Sequence, residues 1–276
     1  MIPEGIRQHL LFLDFRAILK GKTVRSLRER AVLGTVKRAA ALVKHSVANR
    51  WPLYDVSNPW YSYFDKRFDG RFAVDTAGIL NLPQLKTDPR FTHPVNYAPT
   101  PRSRFFRMLR QIDVDYSKFV FIDFRCGKGK VLLLAAALPF KQIIGIELSS
   151  KLFRVAENNL RTYLGTRRCS EFQLVCMDAS EYEIPQERAI YYFYNPFAEE
   201  VMRKVLDNIR RSLAATPREM YVVYFNHVLK SLLDESGFLT PVKRTCWFSI
   251  HKASREWFLR HAGSQNGCAG LNLKEV

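Results

Sequence analysis

The fold this sequence predicts is a doubly wound α/β domain, with a mostly parallel, seven-stranded Rossmann-like sheet and a helical N-terminal extension. Three observations carry the prediction. From about residue 101, short apolar runs alternate with stretches of helical period. The apolar runs are continuous rather than alternating, as in strands buried on both faces. Polar groups suited to ligand binding close four successive runs, at the edge where open α/β sheets hold their ligands.

The elements follow in order. Residues 1–50 read as helical, with Leu11, Phe15, Ile18 and Leu19 at helical spacing, then Leu33, Val36, Ala40 and Val43. Residues 51–100 are rich in aromatics, Pro, Asp and Gly, show no sustained period, and read as a long ordered loop region. A helix fits PRSRFFRMLRQI from residue 101. Strands fit 119–124, 142–148, 172–178, 189–195 and 220–226, with helices over 130–138, 150–164, 199–213 and about 227–235 between them. Two final strands, LTPVKR and CWFSIHKA, have a connection too short for a crossover helix, so they should pair antiparallel. The resulting division is a basic helical and aromatic-rich extension over 1–95, the α/β domain over 96–258, and a small, polar, frayed tail over 259–276.

Composition narrows the functional classes. The 276 residues are 47% hydrophobic and 25% charged, which excludes a mainly disordered chain. The longest apolar run, VLLLAAALPF at 131–140, is half the ~20 residues of a membrane-spanning helix. LLFL at 10–13 is cut by Asp14, which argues against a secretory signal. The five scattered cysteines suit a reducing cytoplasm and give no zinc-ligand spacing, so no metal site is expected.

The net charge is +17, and residues 1–50 hold 11 Lys and Arg against 3 acids. Such a segment fits an anionic partner, nucleic acid or a membrane surface. A helical cap packed on the main domain is the reading it fits best, and an Arg-rich targeting peptide is the other alternative.

At the predicted ligand edge, the first strand ends in Asp123 and runs through Arg125, Cys126, Gly127 and Gly129 into a helix. Glycines at such a turn let backbone approach a ligand and free N–H groups at the helix start. The second strand ends at Glu147, 24 residues beyond Asp123, placed to accept two ribose hydroxyls. The third ends at Asp178 and the fourth at Asn195-Pro196-Phe197. Any one of these is equally a cap or turn residue.

The segment VFIDFRCGKGKVLLLAA…IIGIELSSKLFRVAENNL…LVCMDAS…YFYNPF resembles the class I S-adenosylmethionine-dependent methyltransferases. Together with FDGRFAVDTAG and YAPTPRSRFFRML upstream, it is similar to a bacterial group of unassigned substrate that shares features with the non-SET histone-lysine methyltransferases. The resemblance covers roughly residues 60–255. It implies S-adenosyl-L-methionine as cofactor, with Asp123, Cys126, Gly127 and Gly129 in its loop and Glu147 on its ribose. Asp178, with Met177 and Ala179, would lie by the adenine, and Tyr97 and Thr100 would cover the methionine end.

Asn195, Pro196 and Phe197 stand where N-methyltransferases carry an Asn-Pro-Pro-Tyr-like motif. The Asn195 amide oxygen and the Pro196 carbonyl would accept hydrogen bonds from a planar amine, and Phe197 would stack on it. The implied reaction is N-methylation of an amine of a protein or small molecule.

One position departs from the family's Asp-x-Gly-x-Gly-x-Gly pattern, because residue 125 is Arg. Its guanidinium either points outward or pairs with the cofactor's carboxylate, leaving binding intact, or it obstructs the pocket. The obstructed case is a binding module without turnover. An RNA methyltransferase is a further alternative; a nicotinamide oxidoreductase lacks its G-x-G-x-x-G fingerprint. Cys126 at a helix start admits a reactive thiol. His227 fits a base or a helix cap. Asp75 and Thr76 fit an active-site wall or a cap.

Overall fold

The computed structural model describes residues 59–80, 97–194 and 196–262, without the side chains of 59–61, 261 and 262. The expected helices over 1–50, the frayed tail beyond residue 262 and the site residue Asn195 lie outside the described residues.

Seven strands form one sheet: β1 (Val120–Phe124), β2 (Gln142–Glu147), β3 (Phe172–Cys176), β4 (Ala189–Tyr194), β5 (Met220–Phe225), β6 (Leu239–Arg244) and β7 (Phe248–Ala253). Their order is β3-β2-β1-β4-β5-β7-β6. The first five are parallel; β7 runs antiparallel between β5 and β6. The expected antiparallel closing pair is therefore present, and it extends the doubly wound 3-2-1-4-5 core by two strands, of which β7 is reversed.

Burial explains the composition of the strands. β1 is buried at every position and β4 at all but its last, which is why both are continuous apolar runs. β6 is an edge, exposed after Leu239, and its Pro241, Lys243 and Arg244, with a register shift between Pro241 and Lys243, blunt further pairing.

Helices cover both faces. α1 (Pro59–Phe72), α2 (Arg102–Leu109), α3 (Lys130–Ala135), α4 (Ser150–Thr162), α5 (Glu199–Ala215), α6 (Lys230–Asp234) and α7 (Arg255–Ala262) are the described ones. One apolar core packs α5, α6 and α7 on the sheet through Met202, Ile209, Leu233 and Trp257. The other packs α1, α2 and α3 through Phe68, Phe105, Met108 and Leu132.

Two stretches differ from the sequence expectation. Residues 59–72 are helical rather than looped. The buried side of α1 carries Asp65 beside Phe68, so an acid interrupts the apolar stripe that would have announced a helix. α7 continues past residue 258 because Trp257 and Phe258 anchor it in the core. No helix among the described residues is long and apolar enough to cross a membrane.

Candidate functional site

A cavity of about 240 Å³ opens at the carboxyl ends of β1, β2 and β4. Asp123, Glu147, Tyr192 and Pro196 line it from the strand ends, Cys126 and Gly127 from the loop before α3, and Tyr97 and Thr100 from the upstream segment.

The two acids differ in their surroundings. Glu147 is 1% exposed, and its two carboxylate oxygens each accept one backbone N–H, from Gly127 at 2.9 Å and from Ser149 at 2.8 Å. Each oxygen retains acceptor capacity, and the two N–H groups fix the plane of the carboxylate. Asp123 is 3% exposed and accepts no hydrogen bond from the described residues. Burial, then the neighbouring Glu147, pushes its carboxyl well above the usual range.

The glycines serve two different purposes. Gly127 has φ 59°, and a Cβ there would lie 2.4 Å from the Tyr97 ring, so the ring rests directly on the loop backbone. Gly129 has φ 80°, and its Cβ would press on Ala156 of α4 at 3.2 Å. Gly129 therefore lets α4 approach the loop and does not line the cavity.

Arg125 accepts the left-handed backbone (φ 64°) that the missing glycine would have adopted, at a cost of about 1 kcal/mol. Its side chain lines the cavity, and Nη1 donates to the Pro196 carbonyl at 2.5 Å. Burial lowers its pKa, while Glu147 and Asp178 act in the opposite direction. The guanidinium thus neither points outward nor leaves the pocket clear; it caps the carbonyl expected to receive an amine.

Several expected site residues are placed elsewhere. Phe197 is 9% exposed, packs edge-on against Phe124 and Phe193, and belongs to the core rather than to the cavity wall. Asp178 is outside the lining; its Oδ1 caps the turn Ala179–Glu181 by accepting from the Ser180 amide and hydroxyl, both at 2.8 Å. His227 is buried away from the lining, with an imidazole held below its ordinary value, first by burial and then by Lys230. Cys126 is buried, and desolvation followed by Asp123 and Glu147 pushes its thiol well up, which removes the reactive-thiolate reading.

Asp75 and Thr76 hold the upstream segment down instead of facing the cavity. Thr76 Oγ1 donates to Asp69 at 2.6 Å, and the amides of Thr76 and Ala77 donate to the same carboxylate. Asp75 pairs with Lys128 Nζ at 2.7 Å. The Tyr97 hydroxyl donates to the Thr76 carbonyl at 2.7 Å, and Thr100 shares a 2.9 Å hydrogen bond with Tyr192.

Sequence reasoning missed the residues that make this fastening. Lys130, 2% exposed, forms a buried ion pair with Asp65 of α1. The fully buried Asn159 accepts from the Asp75 amide at 2.7 Å and donates to the Asp75 and Lys128 carbonyls at 2.8 Å each. The available signal was an amide on the apolar side of α4, beside Leu152 and Ala156. Among the described residues no group of three His, Cys, Asp or Glu could hold a metal ion.

The strand order is a doubly wound 3-2-1-4-5 arrangement continued by a reversed β7 and an edge β6. Neither a model of a known protein family nor a curated protein matches the chain. Solved structures do. An RNA methyltransferase from Salinibacter ruber, in complex with S-adenosyl-L-homocysteine, is 20% identical at a TM-score of 0.40, over 56% of this chain and 92% of that one. A precorrin-6y C5,15-methyltransferase from Geobacter metallireducens is 16% identical at 0.41, over 68% and 95%. A predicted N6-adenine-specific DNA methylase from Listeria monocytogenes is 13% identical at 0.44, and the match spans 56% of this chain and about half (51%) of that one.

Proposed function

We propose that this chain is an S-adenosylmethionine-dependent methyltransferase acting on a nitrogen acceptor. The observation that carries the reading is the pair of buried carboxylates at the cavity, one oriented and one unpaired. Glu147, its plane set by Gly127 and Ser149, has the remaining acceptor capacity that a ribose diol requires. Asp123, desolvated and without a hydrogen-bond donor among the described residues, is suited to receive an ammonium group. These donors and acceptors fit the cofactor's polar ends. The volume fits less well, since about 240 Å³ is below the ~300 Å³ at which pockets for such ligands begin. Arg125, the long side chain in the lining, is the group that would move.

When bound, S-adenosylmethionine supplies an electrophilic methyl group on a sulfonium. The chain's part is to hold an acceptor lone pair in line with it. Pro196, together with Asn195, would orient the acceptor's N–H groups once Arg125 leaves the carbonyl. Isothermal titration with S-adenosylhomocysteine tests the reading: saturable binding by the full chain, lost at least tenfold in Glu147→Ala, is expected. Absence of saturable binding in both the wild type and Arg125→Gly would overturn it.

A second reading rests on the Arg125 to Pro196 contact alone. If the guanidinium keeps the carbonyl, the fold binds cofactor without turning over, as a binding module. Transfer of labelled methyl by Arg125→Gly but not by the wild type, at equal cofactor occupancy, would favour it.

A further inference from the structure

One face of the molecule is built from arginines laid on aromatic rings. Arg104 lies over Trp247 at 3.5 Å from the ring centroid, and Arg107 reaches the same ring at 5.4 Å. Arg102 lies over Phe106 at 5.1 Å. On α1, Arg71 lies over Phe72 at 5.3 Å, and in the loop after α4 Arg167 lies over Tyr163 at 5.8 Å. Phe72 and Tyr163 are themselves in contact at 5.4 Å, and the charges of Arg102 and Arg167 both act on the Tyr163 hydroxyl, which joins the two groups.

None of these arginines has an acidic partner among the described residues, although all but Arg104 are exposed. The α5 face, by contrast, pairs its charges. On α5, Arg203 pairs with Glu199, Lys204 with Glu200, and Arg210 and Arg211 with Asp207. Unlike that face, the belt sets several stacked arginines side by side with no acid among them. A guanidinium stacked on a ring is held in place and loses little freedom on binding an anion, and that of Arg167 is held further by donating to the Leu160 carbonyl.

The belt meets the cavity. Thr100 lines the cavity two residues before Arg102, and the Asn226 amide, at the cavity wall, donates to the Trp247 carbonyl at 2.8 Å. The cavity itself is walled by the Tyr192 and Tyr194 side chains. A target base would have to be presented singly beside the cofactor once Arg125 has moved, and a duplex would have to release its base first.

We infer that the belt binds the phosphates of a single-stranded nucleic acid and that the methyl acceptor is a base nitrogen of that strand, in place of a protein or small-molecule amine. The inference deepens the methyltransferase reading and rests on it for the chemistry. Strand binding is measurable without cofactor.

The test is fluorescence anisotropy of a labelled single-stranded oligoribonucleotide with the full chain, at rising KCl. Four or five phosphate contacts give a slope of log K against log salt of about −3, near −0.7 per contact on a single strand. Arg102→Gln/Arg107→Gln/Arg167→Gln should flatten the slope by about 2. Arg203→Gln/Lys204→Gln/Arg211→Gln removes the same charge from the paired α5 face and should leave the slope as it is. Equal losses in the two variants, or no loss in the first, would overturn the belt whatever the cofactor does. Duplex RNA or phosphatidylglycerol vesicles binding as tightly as the single strand would overturn it too. Selective strand binding without any cofactor binding would keep the belt and remove the methyltransferase reading.

Discussion

Replacing Arg125 by glycine probes the site at its most unusual residue. The Arg125 guanidinium donates to the Pro196 carbonyl at 2.5 Å in a partly buried setting. Hydrogen bonds of charged groups contribute about 1.5–3 kcal/mol net. A cofactor that must displace this side chain loses that amount, roughly 10- to 150-fold in affinity, because 1.4 kcal/mol is a factor of ten. Arg125→Gly should therefore bind S-adenosylhomocysteine that much more tightly in a calorimetric titration. Its stability should change little, because the lost bond is partly offset by relief of the left-handed backbone at φ 64°. Arg125→Ala separates the two effects. It removes the same side chain but keeps a Cβ at positive φ, so it should bind like the glycine variant and melt lower. An affinity gain of less than threefold in both variants would refute the idea that the guanidinium competes with the ligand.

Lys130→Met leaves the Asp65 carboxylate buried without its cation and should cost about 3–5 kcal/mol of stability at neutral pH. Asp65→Asn in the same chain should restore most of it, and denaturant melts giving no restoration would contradict the pair's role. Burial already raises the Asp65 carboxyl, so the Lys130→Met deficit should shrink as pH falls and that carboxyl protonates. Gly127→Ala drives a methyl into the Tyr97 ring at 2.4 Å and should destabilise by about 1–3 kcal/mol. Adding Tyr97→Ala should recover the steric part and leave the positive-φ part, and an unchanged melting curve for the single variant would argue against the contact.

Burial holds His227 and His251 below the ordinary 6.5. A lowered folded pKa means weaker proton binding when folded, so their contribution is full above 6.5 and lost as pH falls through the lowered values. Urea midpoints taken from about pH 7.5 to about pH 5 should fall less in His251→Gln than in the wild type. Parallel pH profiles would show that His251 does not contribute.

β1, β2, β4 and β5 were legible because burial on both faces makes them largely apolar runs, and Glu147 was legible because it closes one of them. α1 was hidden by Asp65, an acid at a core position whose partner, Lys130, lies 65 residues away in sequence. Nothing local to Lys128 and Lys130 reveals that their partners, Asp75 and Asp65, come from the upstream segment. Phe197 follows a strand end, which suggested an outward ring. Instead its ring packs edge-on against the stacked pair Phe124 and Phe193 in the core. Arg125 was recognisable as a departure, but its destination depends on a carbonyl 71 residues downstream.

Asn159 exchanges hydrogen bonds with both main-chain groups of Asp75, as one strand residue does with its neighbour across a ladder, and bonds the Lys128 carbonyl as well. A side-chain amide thus sews the stretch before the sheet into the glycine loop as a one-residue substitute strand. Excision at residue 95 would cut through that seam. The fragment would keep a buried amide and two lysines whose partners had been removed. A fragment beginning at residue 96 should therefore be less stable than one beginning upstream of Asp65, which keeps these partners.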